Sequence, residues 1–594
     1  MNLVVKQVNF LDILVVVMYL LMLTGVGIYL TRFNKTVDDF FKGGGKIPWW
    51  ISGLSTFVAG FSAFMFVGAA GYTYLHGAGA IVLFTSAAWG YALGYIVYAV
   101  RWRRARLSSP MEFLTRRFSQ NTTYYYTFLS IIPAIMGLGL MIYTLCKFTA
   151  AALGIVAFTV TFGPVTLTGL EMSMIVTGLV MLIYTSAGGL WAVVITDSLQ
   201  FFIILIVSFL VCPLAFVALG NSWDLTVGFQ RLVAEAPVGY LSLADVWTKP
   251  WFYIAYLLST FIGYNAAWHI GQRYYSVPTE RDSRKMALLC AVLSLVLPFL
   301  WIAPTMAARV LFPDIASMWP GDQHPEESAF VTLALTLLPN GLIGLVLSAI
   351  LAAAMTSIDT QLNYLASILI RDVYVRIRTT PAGVEPDQKE QLTASRITAI
   401  VLGVLATATA LFFQRWKSVF DVALSYYSWF GPSMLTPVML GFLIRRTPSW
   451  SAIVSSAAGL IIVLVVNVFI PFDGYQYEAN IIAGVGISSL VFLLTALWPE
   501  RSEAALERVK RFFIDLETPA TDESLRWSGN AVSSYQIVGV LTASIGTVVV
   551  LLGLVPASMP VHILTVGLGT ATAFLGWLMT WYFRRQSRIM NKGE

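Results

Sequence analysis

The sequence predicts an all-α polytopic membrane protein, and two observations carry that prediction. Hydrophobic residues make up 57% of the 594 residues and charged residues only 11%, whereas roughly 25% of a soluble domain is charged. Runs of about twenty apolar residues, the length at which a helix crosses a bilayer, recur along the whole chain. The lipid bilayer is therefore the expected partner of most of the surface. The net charge of +6 then reflects the loops and does not indicate a nucleic-acid partner.

About fifteen apolar windows satisfy the length criterion. They are 11–31, 49–76, 79–100, 123–152, 166–187, 191–219, 250–272, 284–311, 330–370, 392–413, 418–444, 449–470, 480–498, 535–556 and 562–583. Basic residues follow the odd-numbered windows except the fifth, as in Arg101–Arg106 after the third and Arg584–Arg588 after the last. Because basic loops stay in the cytoplasm, the N-terminus is predicted outside and the C-terminus inside. The expected location is the plasma membrane.

The ninth window carries a polar face within an apolar helix. Residues at i, i+3, i+4 and i+7 share one face of an α-helix, and this is the spacing of Ala353, Thr356, Ser357 and Thr360. Hard oxygen ligands with little fixed charge suit an alkali cation better than zinc or copper. Close helix packing is the alternative, since small residues also serve that purpose. Packing does not account for Asp359, because a carboxylate facing lipid is costly.

The second window is rich in glycine, which is a poor residue for a helix interior. Its glycines include Gly53, Gly60, Gly68 and Gly71. A membrane helix that breaks near its middle frees backbone carbonyls, and such carbonyls can hold ions. Glycine-mediated packing of two helices is the alternative. The composition thus favours a discontinuous span.

Three motifs together resemble the sodium/solute symporter family, which includes sodium-coupled sugar, proline and sialic acid transporters. They are A-A-A-M-T-S with a following Asn, Ser and D-V-Y in the ninth window, G-G-L-W-A-V-V-I-T-D-S-L-Q at the sixth, and Gln272-Arg273 at the seventh. The resemblance covers roughly residues 10–500. It implies a leucine-transporter-type five-plus-five inverted repeat, with one N-terminal and about four C-terminal extra helices.

The resemblance divides the chain into five parts. These are an N-terminal extra span with a cytoplasmic loop (1–47), the inverted-repeat transport core (48–446), peripheral helices (447–498), a charged cytoplasmic linker (499–534) and a C-terminal helix pair with its tail (535–594).

The resemblance also implies a main sodium site between the second and ninth windows. Its five oxygen ligands are the carbonyls of Val58 and Phe61, together with groups of Ala353, Thr356 and Ser357. The composition of each of these two windows already favours an ion site, independently of the resemblance. The implied cofactor is Na⁺.

Some members of the family hold a second sodium ion, and the matching positions here are Asp197, Asp359 and Thr360. Asp359 replaces the serine that is usual at its position. Two carboxylates in one site repel each other unless a cation or a proton lies between them. For Asp197, a role at the start of a helix is the alternative, because acidic residues stabilise helix N-termini.

The substrate pocket implied by the resemblance combines residues from several windows. They are Gly60, Ser62, Phe64, Met65, Lys147, Asn265, Trp268, Ser294 and Leu424. This set is too apolar for a sugar, whose hydroxyls need many polar partners. Lys147 matches the arginine that pairs with the substrate carboxylate in the proline and sialic acid branches. Alternatively, its side chain extends to the outer interface.

The predicted function is Na⁺-coupled symport of a small organic solute, expected to bear a carboxylate, by alternating access. The alternatives are sodium/sugar symport, a proton-coupled carrier that uses Asp197 and Asp359, and a membrane sensor that does not transport. No G-x-x-x-x-G-K-(S/T) motif occurs, which argues against direct ATP drive. The four histidines form no catalytic or metal-binding pattern. We therefore expect a secondary transporter and not an enzyme.

Overall fold

The computed structural model describes residues 5–590, with gaps. The gaps are 31–44, 46, 108, 157, 185–189, 321, 376–377, 380–385, 416–417, 471, 473, 520–528 and 556–557. Each predicted span coincides with one helix or with two helices in series. Among the described residues, nine helices are long and apolar enough to cross a membrane, and a bent pair forms a tenth span.

Fifteen helices precede residue 312. They are α1 (Phe10–Leu30), α2 (Trp49–Phe61), α3 (Gly68–His76), α4 (Gly79–Leu93), α5 (Ala99–Arg104), α6 (Glu112–Arg117), α7 (Gln120–Ala152), α8 (Gly169–Tyr184), α9 (Leu190–Gly220), α10 (Leu225–Glu235), α11 (Ala244–Thr248), α12 (Pro250–Ala266), α13 (Trp268–Tyr275), α14 (Glu280–Val296) and α15 (Phe299–Leu311). A π-helical turn, Gly94–Tyr98, joins α4 to α5.

Ten more helices follow. They are α16 (Ile315–Met318), α17 (Ala329–Leu337), α18 (Leu342–Ile368), α19 (Gln388–Phe413), α20 (Val419–Gly441), α21 (Ser451–Phe469), α22 (Gln476–Thr495), α23 (Glu503–Glu517), α24 (Gly529–Gly553) and α25 (Met559–Met590). A 3₁₀ turn, Pro325–Ser328, precedes α17, and a π-helical turn, Leu369–Tyr374, follows α18.

Helix α18 lies at the centre of the bundle. It packs against α1, α2, α7 and α9, and 94% of its most apolar 18-residue window, within 342–362, is buried. Because every side of this helix meets protein, its polar residues need partners or ligands within the bundle. Helices α24 and α25 pack against each other at the periphery and contact α9.

The second span is broken near its middle, as predicted. Helix α2 ends at Phe61, and the chain bends by 50° before the 3₁₀ turn Ala63–Phe66 and α3. Ser62 lies at the break with φ of +49°, a region that residues other than glycine rarely adopt. Its N–H donates to the Val58 carbonyl at 3.1 Å, and its hydroxyl accepts from the Phe64 N–H at 3.2 Å.

A short hairpin was not predicted. Strands β1 (Thr159–Phe162) and β2 (Val165–Thr168) pair antiparallel, with Thr159 opposite Thr168. The window 166–187 therefore begins in a strand, and its helix starts only at Gly169. The physical reason is local: β-branched threonine and valine favour strands, and Gly163 supplies a turn residue with φ of +60°.

Within the predicted charged linker, α23 is an amphipathic helix that docks on α5 and α6. The ring of Phe512 is 2% exposed and lies edge-on to Phe113, with 5.7 Å between centroids. The carboxylate of Asp515 accepts from Arg106 at 3.1 Å, and Arg104 donates to the Leu516 carbonyl at 3.1 Å. Apolar burial and basic residues thus hold α23 against the loop between the third and fourth spans.

We expect Phe512→Ala to lower the free energy of unfolding by about 3–5 kcal/mol, the usual cost of truncating a buried aromatic side chain. Urea denaturation of the purified protein in detergent measures the change. Ile514→Ala is the matched control, because Ile514 lies on the same helix with 49% of its surface exposed. Equal losses in the two variants would contradict the docking of α23 through its apolar face.

Candidate functional site

The break in the second span lies against the middle of α18. The Ser357 hydroxyl is 3.2 Å from the carbonyl of Ala353 in its own helix and 3.2 Å from the carbonyl of Ala59 in α2. Ala59 lies in the last turn of α2, between Val58 and Phe61. The structure therefore brings the two segments of the predicted main sodium site into hydrogen-bond contact.

Thr356, which directly precedes Ser357 in α18, belongs to the same cluster. Its hydroxyl donates to the Ala352 carbonyl at 3.0 Å and also contacts the Gln200 side-chain oxygen. Gln200 in turn donates to the Tyr19 hydroxyl at 3.1 Å. All five predicted ligand residues, Val58, Phe61, Ala353, Thr356 and Ser357, are buried. The cluster offers carbonyl and hydroxyl oxygens without fixed charge, a donor set that suits an alkali cation.

Two of the three residues of the predicted second sodium site are connected by an arginine. The Arg273 guanidinium is 3.6 Å from the Asp197 carboxylate and donates to the Thr360 hydroxyl at 3.0 Å. Ser55 donates to the same carboxylate and accepts from Arg273 at 3.2 Å. The side chain of Asp359 lies outside the described residues. In this structure, the positively charged guanidinium of Arg273 therefore already lies between Asp197 and Thr360.

Asp197 lies two turns inside α9, which begins at Leu190, so it does not cap that helix. One of its oxygens, Oδ1, has no hydrogen-bond partner among the described residues, and the same holds for Nη1 of Arg273. Both residues are about 1% exposed. The pair is a buried ion pair with one unsatisfied atom on each side.

A central cavity of about 290 Å³ lies beside the break. Six of the predicted substrate residues line it: Gly60, Ser62, Phe64, Met65, Trp268 and Leu424. The described lining consists mainly of aromatic, hydroxyl-bearing and apolar residues, with one glutamine and one histidine, and contains no Asp, Glu, Lys or Arg. The indole N–H of Trp268 has no hydrogen-bond partner among the described residues. A solute in this cavity therefore meets neutral groups, several of which can donate hydrogen bonds.

Three residues predicted for the pocket do not line the central cavity. Lys147 forms a buried ion pair with Asp322, from the segment between α15 and α17. The Asn265 amide donates to the carbonyls of Gly90 and Phe261, at 2.9 and 2.8 Å, and Ser294 is buried within α14. Lys147 therefore neither reaches the cavity nor extends to the interface, because its ammonium group is paired with Asp322.

The cavity also contains residues that the sequence did not single out for this role. They include His269, Gln361, Tyr364, Tyr426 and Tyr427. Gln361 and Tyr364 follow Thr360 on α18. Extending the polar face of this helix by one more turn would have predicted both residues. The two tyrosines of α20 gave no comparable pattern.

A discontinuous helix beside a hydroxyl-rich helix, with a cavity between the segments, is the architecture of a secondary transporter. The family model of the sodium:solute symporter family matches residues 40–459, and the chain belongs to that family. It is a multi-pass membrane protein and a sodium-coupled solute symporter, and not an enzyme.

Individual relatives are distant but cover most of the chain. The sodium/sialic acid symporter SiaT of Proteus mirabilis is 23% identical over 475 residues, which is 77% of this chain and 89% of the relative. The sodium/glucose cotransporter of Vibrio parahaemolyticus is 26% identical over 482 residues, which is 76% of this chain and 84% of the relative.

A solved structure of a Na⁺-coupled sialic acid symporter in a substrate-bound, outward-open state has a similar fold. Its TM-score is 0.66 at 21% identity, over 82% of this chain and 98% of that one. The similarity confirms the predicted leucine-transporter-type fold.

Proposed function

We propose that this symporter couples inward movement of Na⁺ to the uptake of a small organic solute that carries a carboxylate, by alternating access. Na⁺ binds the carbonyls of Val58, Phe61 and Ala353 and the hydroxyls of Thr356 and Ser357. The contact of Ser357 with both Ala353 and Ala59, at 3.2 Å each, is the observation that carries this site. Bound Na⁺ would join α18 to the broken span and thereby couple ion occupancy to the shape of the cavity.

Trp268 supports a carboxylate as part of the solute. An indole N–H is only a donor, and this one is buried without a partner among the described residues. An ionised carboxylate is only an acceptor, so the two groups are complementary. Ser62 and Thr144 add hydroxyls to the same cavity. Lys147 takes no part in this recognition, because Asp322 neutralises it.

The orientation is part of the proposal. Basic loops place the N-terminus outside and the C-terminus in the cytoplasm of a cell bounded by the plasma membrane. The segments 221–249 and 312–327 then face outward, and α23 with its basic partners Arg104 and Arg106 faces the cytoplasm.

A neutral sugar is the second candidate solute, and the absence of charged side chains from the described lining favours it. The glucose cotransporters among the relatives agree with that alternative, whereas the sialic acid symporters agree with a carboxylate. Proton coupling through the buried Asp197 is the alternative to Na⁺ coupling.

Uptake into proteoliposomes across a panel of carboxylates, amino acids and sugars distinguishes these candidates. We expect an inward Na⁺ gradient to drive uptake of an acid, and a pH gradient alone to drive none. Na⁺-driven uptake of sugars only would contradict the carboxylate, and uptake that follows a pH gradient and ignores Na⁺ would contradict the ion site.

Trp268→Phe tests the indole donor directly, because it keeps an aromatic ring and removes the N–H. We expect the KM for the transported acid to rise about tenfold or more, since a hydrogen bond to a charged group is worth about 1.5–3 kcal/mol. The matched control is Trp319→Phe: this indole is also buried but does not line the cavity, and it donates to the Thr332 hydroxyl at 2.9 Å. An unchanged KM in Trp268→Phe, or an equal rise in Trp319→Phe, would contradict the assignment.

A further inference from the structure

A second cavity, of about 890 Å³, adjoins the central one, and Leu424 and Tyr477 line both. We call it the acidic cavity, because four carboxylates line it: Glu326, Glu327, Asp421 and Glu478. Lys249 is its one lysine or arginine among the described lining residues, which also include two histidines. Acidic walls of this kind attract cations and raise their local concentration.

Glu327 stands apart from the other carboxylates because it is buried and only half satisfied. The residue is 2% exposed. Its Oε1 accepts from the backbone N–H groups of Val419 and Phe420, at 2.7 and 3.3 Å, at the start of α20. Its Oε2 has no partner among the described residues. A buried carboxylate oxygen without a partner is costly, so it points to a missing positive ligand.

Glu327 also touches the broken span. A Cβ at Gly71 in α3 would come within 2.8 Å of Glu327 Cγ and 3.2 Å of its Cα, so only glycine permits this approach. Phe420, whose N–H binds Glu327, stacks on Tyr72 of α3 at 4.5 Å and on Phe64 of the central cavity at 6.0 Å. An ion at Glu327 would therefore lie where α3 and α20 meet, directly in front of the central cavity.

We propose that the acidic cavity binds Na⁺ ahead of the central cavity, with Oε2 of Glu327 as the principal ligand. The proposal goes beyond the central site and rests on the Na⁺ coupling that defines the family. A monovalent ion fits better than a divalent one, because the described residues contain no group of three or more His, Cys, Asp or Glu able to hold a metal. Neighbouring oxygens from Ser418 and Asp421 face the same space.

Glu327→Gln tests the site with little disturbance of the fold, because the amide oxygen still accepts from Val419 and Phe420 while the charge is lost. Binding of ²²Na⁺ to the purified protein, without solute, is the first readout. We expect two classes of ion in the unmodified protein, one of which is lost in Thr356→Ala and the other in Glu327→Gln. The double variant should bind none.

The half-saturating Na⁺ concentration for uptake is the second readout. We expect it to rise on the order of tenfold in Glu327→Gln, because the interaction of Na⁺ with a buried charged ligand is lost. The matched control is Glu235→Gln: Glu235 belongs to an exposed ion pair with Arg231 on α10 and does not line the cavity, so its loss should change nothing. Thermal unfolding confirms that each variant is folded.

Two results would overturn the proposal. One is unaltered ²²Na⁺ binding and Na⁺ half-saturation in folded Glu327→Gln. The other is a single class of bound ion that Thr356→Ala removes completely. If Thr356→Ala instead leaves both classes intact, the central site fails and the acidic cavity stands.

Discussion

Thr356→Ala should raise the half-saturating Na⁺ concentration for uptake at least tenfold. The substitution removes one of the five proposed oxygen ligands, and an interaction with a charged group is worth about 1.5–3 kcal/mol, of which each 1.4 kcal/mol is a factor of ten. Thr356 is fully buried, so water does not readily replace the lost hydroxyl. Uptake as a function of Na⁺ concentration in proteoliposomes measures the change.

Two variants separate the ion ligand from a general packing defect. Thr356→Ser keeps the hydroxyl and should stay close to the unmodified protein. Thr336→Ala removes a threonine that is also buried but bonds only to carbonyls of its own helix, α17, at 2.8 and 3.1 Å. A rise of similar size in Thr336→Ala, or none in Thr356→Ala, would contradict the role of Thr356.

Arg273→Met should cause a large loss of stability, about 3–5 kcal/mol in the free energy of unfolding. Removal of one partner from a buried ion pair leaves the other charge uncompensated, and here Asp197 would lose its guanidinium neighbour at 3.6 Å. Thr360 would also lose its donor at 3.0 Å. Chemical denaturation in detergent measures the loss.

Combining Arg273→Met with Asp197→Asn tests the pairing itself. The double variant should lose less stability than the two single variants added together, because no unpaired charge then remains. Additive losses would contradict the ion pair. The second sodium site stays a prediction, and it requires Arg273 to move away from Asp197 and Thr360.

Local sequence features predicted the parts of the site that a single helix determines. The spacing of Ala353, Thr356 and Ser357 placed three ligands on one face of α18, and the glycines of the second span predicted its break. The break at Ser62 and the contact from Ser357 to Ala59 agree with both expectations. These features survive folding because they depend on helical periodicity and backbone conformation alone.

Contacts between segments that are distant in the chain could not be predicted from the sequence. The sequence predicts that Lys147 binds the solute, but its partner Asp322 lies 175 positions away in a polar segment between spans. Likewise, nothing near Glu327 in sequence indicates the start of α20, 92 positions later. Arg273 belongs to a sequence motif typical of the family, whereas its position between Asp197 and Thr360 depends on how three helices pack. Prediction of charge pairs between distant segments requires the three-dimensional structure.

Hydrogen–deuterium exchange of the purified protein in Na⁺ against an equal concentration of K⁺ tests the central claim most directly, since it requires no knowledge of the solute. We predict slower exchange in Na⁺ for peptides from the end of α2 through the break, residues 55–66, and from the middle of α18, residues 350–362. Thr356→Ala should remove that protection. Equal exchange of both segments in the two salts would contradict a sodium site between α2 and α18.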